Sequence, residues 1–402
     1  MGLLEKNPYR PGAGHLPPHL AGRIMEKTEF LRLLGQSSVM QNLVITGLRG
    51  IGKTVLLTSF KPVAIEQNWL WAGTDCSEQA SISEDTMALR ILTDTALITS
   101  GAYFDSTAPD PLGFKTSSVP PVNRQYLDYV YLRKYYESVP GLVSDKLKRT
   151  LEFVWQVLRQ YEGVKGVVFA YDEAQTLSDQ SLERQYPLSL LLDVFQYLQR
   201  TGVPFMLVLT GLPTLMTRLV EARTYSERLF HVLVLDKLSI PDSQDAILRP
   251  LKKSGYADLF NERAISTIIE ASGGYPYFIQ FICREAFDVF YQQQHSGEKP
   301  TVPIDTIIQK LDNDFFAGRW NKATDRERDL MQIVAETGKS EFTVQEVTRQ
   351  SELGEKPFGA SQVSRYFKKL TDEGLIYKNR RGSYSFAVPL LERFIIRSVT
   401  QN

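Results

Sequence analysis

Eight consecutive residues, Gly47-Leu48-Arg49-Gly50-Ile51-Gly52-Lys53-Thr54, constrain this chain more than anything else in it. Glycines at 47, 50 and 52 let a short backbone segment curl inward, and Lys-Thr follows at once. The run follows an apolar strand pattern over 42–46 and opens a helical pattern at Lys53. Strand, G-x-x-x-x-G-K-T loop and helix in that order make a cradle for phosphate groups. Backbone N–H groups point inward, the helix N-terminus adds partial positive charge, Lys53 adds a full charge, and Thr54 offers a hydroxyl to Mg²⁺. Gly47, Gly50, Gly52, Lys53, Thr54 and Val55 are the expected nucleotide-binding residues.

A second segment supports the first. Residues 166–171 form an apolar run that ends in Asp172-Glu173. A carboxylate at a strand end beside a phosphate loop completes a Mg²⁺ shell, so Thr54 and Asp172 are the expected metal ligands. Glu173 is the expected general base that polarises the attacking water. Thr210 closes a further apolar run, 204–210. It reads either as a polar group near the terminal phosphate or as a hydroxyl capping a strand end.

The strands at 42–46, 69–75, 166–171 and 204–210 alternate with helical patterns, which predicts a parallel sheet covered on both faces. From about residue 240 the pattern becomes helical. The last seventy or so residues read as three helices, a two-stranded wing and a final helix, with the third helix at about 361–373. With 402 residues, several domains are expected. The predicted division is an α/β P-loop ATPase core with an N-terminal arm over 1–239, a helical lid over 240–320 and a winged helix over 321–402. Residues 103–140, rich in proline and then tyrosine, form an insertion between the second and third strands.

Composition excludes several classes. Formal net charge is +0, so any nucleic-acid surface must be local. Two cysteines, Cys76 and Cys283, make a disulfide framework unexpected and a reducing cytoplasm the expected location. The four histidines show no metal-ligand spacing, and no apolar run is long enough to predict a membrane span.

With these motifs in place, the chain resembles the bacterial and archaeal ATP-binding proteins at the border of the AAA+ and STAND groups, similar to the ATPase core of origin-recognition proteins. The resemblance covers nearly the whole chain. It rests on Gly22-Arg23, the two motifs above, Thr210-Gly211-Leu212-Pro213, Tyr225-Ser226-Glu227-Arg228-Leu229-Phe230, Gly273-Gly274-Tyr275-Pro276-Tyr277-Phe278 and the ending Phe386-Ala387-Val388-Pro389-Leu390. It implies ATP and ADP as ligands with Mg²⁺, and it places Arg23 near adenine. It also implies that Arg228 reaches the γ-phosphate of a neighbouring subunit in a nucleotide-dependent homo-oligomer; a surface arginine capping a helix is the other reading. Pro276 reads as the turn where lid meets nucleotide, or as an ordinary first-turn proline. The lid lacks the arginine many relatives carry on this helix, which implies slow hydrolysis and a nucleotide-state switch. The insertion at 103–140 lies where origin-binding relatives carry a DNA-contacting helical element, and Arg124, Arg133 and Lys134 lie there among tyrosines; a solvated insertion with no such role is the favoured reading.

The C-terminal segment is locally basic. Residues 361–402 hold eight Lys/Arg against three Asp/Glu. Gln362, Arg365 and Lys369 on the third helix are the expected base-reading residues, and Arg380 and Arg381 at the wing tip the expected phosphate contacts. Two functions follow. In one, ATP state is coupled to DNA binding or to a DNA-processing partner. In the other, a STAND-like signalling ATPase oligomerises on nucleotide exchange and the winged helix docks a protein partner.

Overall fold

The computed structural model describes residues 7–12, 14–107, 122–296, 302–354, 356–379 and 382–400. Its centre is a five-stranded sheet. Strands β1 (Asn42–Thr46), β2 (Trp69–Asp75), β5 (Gly166–Asp172), β6 (Phe205–Gly211) and β7 (Phe230–Val234) pair in the order β2-β5-β6-β1-β7, all parallel. Every residue of β1, β5 and β6 is buried. That is why these strands read as continuous apolar runs rather than alternating ones.

The period of two still decides the packing. Leu43, Ile45, Val168, Ala170, Met206 and Val208 face one layer, formed by helices Ile24–Leu34 and Lys53–Glu66. Val44, Val167, Phe169, Tyr171, Leu207 and Leu209 face the other, formed by helices Glu84–Thr99, Val143–Leu158 and Pro187–Arg200. All ends that carry chemistry emerge at the C-terminal edge of the sheet, where open α/β sheets bind ligands.

Two features differ from the sequence expectation. β7 is a fifth strand, short and half-exposed at the sheet edge, so it lacks the apolar run that marked the others. The insertion is a hairpin of β3 (Tyr103–Thr107) and β4 (Val122–Tyr126) followed by the helix Tyr129–Ser138. Phe104, Tyr131 and Tyr135 pack on Phe153 of the core. Arg124 lies 4.1 Å over the Tyr103 ring, and Arg133 pairs with Glu137.

Beyond the sheet, helices Ile240–Lys253, Glu262–Ser272 and Pro276–Ser296 are joined by a helix over 304–320 that widens to π pitch at Asp312–Ala317. The N-terminal arm lies against this group. Tyr9 is buried, with its hydroxyl donating to Ile247 O at 2.7 Å, and Asn7 donates to Arg284 O and Asp288. Helices Asp325–Glu336, Val344–Ser351 and Ala360–Asp372 follow, then the antiparallel pair β8 (Ile376–Lys378) and β9 (Tyr384–Phe386), then helix Leu391–Thr400. One apolar cluster runs without a break from Leu238 to Ile395, so the 240–320 helices and the C-terminal unit share a core.

Candidate functional site

The loop between β1 and helix Lys53–Glu66 has Gly50 at φ 72° and Gly52 at φ 95°. Both angles lie in the left-handed region that a side chain resists, so these two glycines permit the curl. Lys53 is 7% exposed, and its Nζ donates to Gly47 O and Leu48 O at 3.0 Å each. Burial pushes its ammonium down to about 8; Glu173 and Asp172 oppose that shift, and the Arg49 charge adds to it.

The other motif residues converge on this loop. Thr54 Oγ1 donates to Asp172 Oδ2 at 2.5 Å. The Thr210 hydroxyl donates to Asp172 Oδ1, and the Glu173 N–H reaches the same oxygen at 2.8 Å. β6 lies between β1 and β5, and so it brings Thr210 to Asp172. Glu173 sits at φ 51°, an uncommon conformation for a residue with a Cβ, which aims its side chain away from the strand direction. Its carboxylate accepts from the Gln175 amide, whose own oxygen accepts from Leu212 N–H at 3.0 Å. Arg218 donates to Gln175 O.

A cleft of about 270 Å³ opens over the loop and is lined by residues 49–55, the N-terminal segment, the helices beyond residue 240 and Glu173. Arg23, expected near adenine, lines it and braces its base. Arg23 Nη2 donates to Ile51 O at 3.2 Å and Asp236 O at 2.9 Å, and Nη1 pairs with Glu26. Pro276 lines the cleft and is the first residue of its helix. The next residue, Tyr277, donates its N–H to Gly50 O at 3.2 Å and ties that helix to the loop. Arg228 stands apart, exposed on the short helix Ser226–Leu229 and outside the cleft lining.

Among the C-terminal candidates, Lys369 is already engaged. Its ammonium lies 2.6 Å from the carboxylate of Glu327, a side chain only 1% exposed, and 3.7 Å from Glu373. The partner carboxylate is buried and comes from another helix. Gln362 accepts from Gly359 N–H as part of a helix cap, and Arg365 lies 5.4 Å over the Tyr366 ring, both exposed. Arg380 and Arg381 lie outside the described residues.

Four contributors escaped sequence reading. Gln175 had a local signal, two residues beyond the Asp-Glu pair. Arg49 lay inside the loop motif at a position any residue can fill. Phe315 and Arg319 reach the cleft from the 304–320 helix and had no local signal at all.

The arrangement has known counterparts. The Walker-type ATPase PABY2304 of Pyrococcus abyssi superposes with a TM-score of 0.57 at 13% identity, over 94% of this chain and 96% of that one. The ORC2 protein of Aeropyrum pernix, solved as ADPNP-ADP complexes, superposes at 0.52 with 15% identity, over 98% of each chain. The chain has the fold of the ORC-like AAA+ ATPases. Residues 313–395 match the model of a domain of unknown function (DUF8462). No curated protein matches the sequence. Among the described residues, no helix is long and apolar enough to cross a membrane, and no cluster of three or more His, Cys, Asp or Glu forms a self-sufficient metal cage.

The side chains at the loop fit Mg²⁺ held jointly with phosphate. One hydroxyl and one carboxylate are adjacent, and this ion ordinarily completes its shell with water and phosphate oxygens. Thr54 and Asp172 are the residues that would hold it.

Proposed function

We propose that this chain is a Mg²⁺-dependent ATPase that works as a slow switch between ATP and ADP states. The observation that carries the reading is the convergence of Thr54, Thr210 and the Glu173 N–H on the single carboxylate of Asp172, beside buried Lys53. Lys53 holds the β- and γ-phosphates with its charge, and the loop N–H groups orient them. Mg²⁺, when bound, neutralises charge on the phosphate oxygens. Thr210 fixes Asp172 rather than acting alone. Glu173 takes the proton of the attacking water, and the Gln175 amide on its carboxylate restrains it, which favours slow turnover. Arg228, exposed on the helix Ser226–Leu229, serves a second copy in this reading, so turnover depends on protein concentration. Mixing Arg228→Ala with Lys53→Ala chains then restores part of the activity that each lacks alone.

In this proposal the division at 240 and 321 separates core, lid and winged helix, and the output is DNA or a DNA-processing partner. Arg365 and the wing carry the DNA contacts. The test is fluorescence anisotropy on duplex DNA over a salt series, with ATP, with ADP and with neither. No affinity at low salt in any state ends the DNA reading. A second reading, the STAND-like signalling ATPase with a protein-docking winged helix, gains support from the engagement of Lys369 by Glu327 and from the contact between Arg49 N–H and Ala387 O at 3.5 Å. Oligomerisation on nucleotide exchange without DNA affinity would select it.

A further inference from the structure

A second cavity, of about 940 Å³ against 270 Å³ for the cleft over the loop, forms a trough between the core and the C-terminal unit. Its walls are the turn after β2, the segment after β5, the helix Thr214–Ala222 after β6, and residues 371–378. Of these walls the ATPase reading uses only Gln175.

Two of the walls are stitched into one rigid piece. Ser81 is buried; its hydroxyl accepts from Ser178 N–H at 3.0 Å, and its carbonyl accepts from the Gln180 amide at 3.1 Å. Glu84 N–H donates to Gln185 Oε1 at 3.1 Å, and Gln180 and Gln185 exchange backbone bonds of 2.8 and 3.1 Å. On this scaffold the fold leaves two aliphatic side chains in water. Ile82, in the wall, is 52% exposed, and Leu182, in the turn that Gln180 and Gln185 close, is fully exposed. Apolar groups held out by a fixed backbone lose little freedom when a partner covers them.

The charge of the trough leans the same way. Glu78, Glu221, Asp372 and Glu373 line it. The first three are exposed and enter no ion pair among the described residues, and Glu373 has only a 3.7 Å contact with Lys369. The carboxyl end of the helix Ala360–Asp372 lines the same space and adds partial negative charge. Against these stand Arg49, Arg218 and Lys378, and Arg218 is spent on the carbonyls of Gln175 and Leu177. Amides and hydroxyls such as Gln79, Thr176, Gln180 and Thr217 supply the rest, and no aromatic ring lines the trough among the described residues. Such a lining disfavours a phosphate backbone and gives a base nothing to stack on. It suits a peptide: amides and hydroxyls for its backbone, carboxylates for lysine or arginine, and the aliphatic pair for an apolar side chain.

We propose that this trough docks an extended segment of a partner protein that carries basic side chains together with aliphatic ones. The proposal is independent of the nucleotide reading.

The probe is a fluorescent peptide of about twelve residues, with lysines and leucines spaced among serines and glycines, titrated onto the full chain by anisotropy. It should bind saturably. Versions with glutamate for lysine, or serine for leucine, should bind at least about tenfold more weakly. A photoreactive leucine in the peptide should cross-link to residues 78–82, 178–185 or 371–378, read by mass spectrometry. Glu78→Gln, Glu221→Gln and Asp372→Asn combined should cost roughly tenfold, and Leu182→Ser about threefold or more. These four side chains are exposed, so circular dichroism and nucleotide affinity should stay native in both variants. No saturable binding, cross-links confined to other surfaces, or native peptide affinity in both variants overturns the proposal. Short duplex DNA that displaces the peptide and cross-links to the same segments assigns the trough to nucleic acid and overturns it as well.

Discussion

Lys53 and Lys369 are both lysines beside carboxylates, one in the phosphate loop and one in the C-terminal unit. Lys53 is 7% exposed and donates only to backbone carbonyls, and burial holds its ammonium down to about 8. Lys369 is 48% exposed and rests on Glu327, which raises it. The loop keeps a charge poised and unspent, which is the state of a ligand site. The C-terminal helix spends its charge on holding another helix in place. The same side chain is thus bonded to its own loop's carbonyls in one region and paired with another helix's carboxylate in the other, and spacing in sequence does not separate the two.

The largest test of that contrast is Lys53→Ala. It should lower nucleotide affinity by at least about a hundredfold in calorimetry while leaving the fold intact by circular dichroism. Native affinity in this variant would place the ligand elsewhere. Glu173→Gln keeps shape and loses the base. It should retain Mg²⁺-ATP and cut turnover by about 10²–10⁴-fold, read by phosphate release. Normal turnover in that variant would show that the Gln175-bound carboxylate is a bystander.

The pH dependence sharpens the contrast further. Phosphate binds the protonated form of Lys53, and in the free chain that form is lost as pH rises through about 8. Nucleotide affinity should be flat below that value and fall above it, by up to about tenfold per pH unit, with net proton uptake on binding. Proton uptake is read by calorimetry in buffers of different ionisation heat. An affinity unchanged between pH 7 and 9.5 would mean that Lys53 is not the dominant phosphate contact. Because burial lowers this lysine relative to the unfolded chain, the free protein should also gain stability, not lose it, over the same rise.

The smallest effect belongs to Lys369→Met. It should lower the thermal midpoint by a few degrees and leave nucleotide affinity unaltered. Burial alone would push Glu327 up, but hydrogen bonds from Lys369 and Thr324 outweigh it and hold the carboxyl below its ordinary 4.5. Its stabilising contribution is present above about that pH and is lost as the group protonates on acidification. A Lys369→Met chain as stable as the native one, but weaker on DNA, would reverse the assignment and return this residue to a groove.

The legibility of these regions in sequence followed the range of their interactions. The loop from Gly47 to Thr54 is consecutive, so its strand–loop–helix geometry could be read outright, and Asp172-Glu173 announced itself by ending an apolar run. Thr210 was visible as a strand end, but its bond to Asp172 depends on β6 lying between β1 and β5. β7 was missed because an edge strand with intermediate burial shows neither a continuous nor an alternating pattern. The pairing of Lys369 was not visible because its partner, Glu327, lies on a separate helix. Arg319 was beyond reach for the same reason: only the folded chain carries it to the loop.

The 304–320 helix has a consequence for how this protein can be divided. The family match begins at residue 313, inside the π-pitched turn, rather than at a loop. A module inherited from that point brings Phe315 and Arg319 with it, and hence part of the wall of a ligand cleft whose floor is encoded some 260 residues earlier. A cut at 320 instead strands Phe316, which stacks on Phe394 at 5.2 Å, and Asp312, which pairs with Arg397 at 2.6 Å. The segment that travels and the segment that folds thus overlap without coinciding. A chimera that exchanges C-terminal units keeps both the cleft wall and the apolar core only if its joint is placed before Ile304.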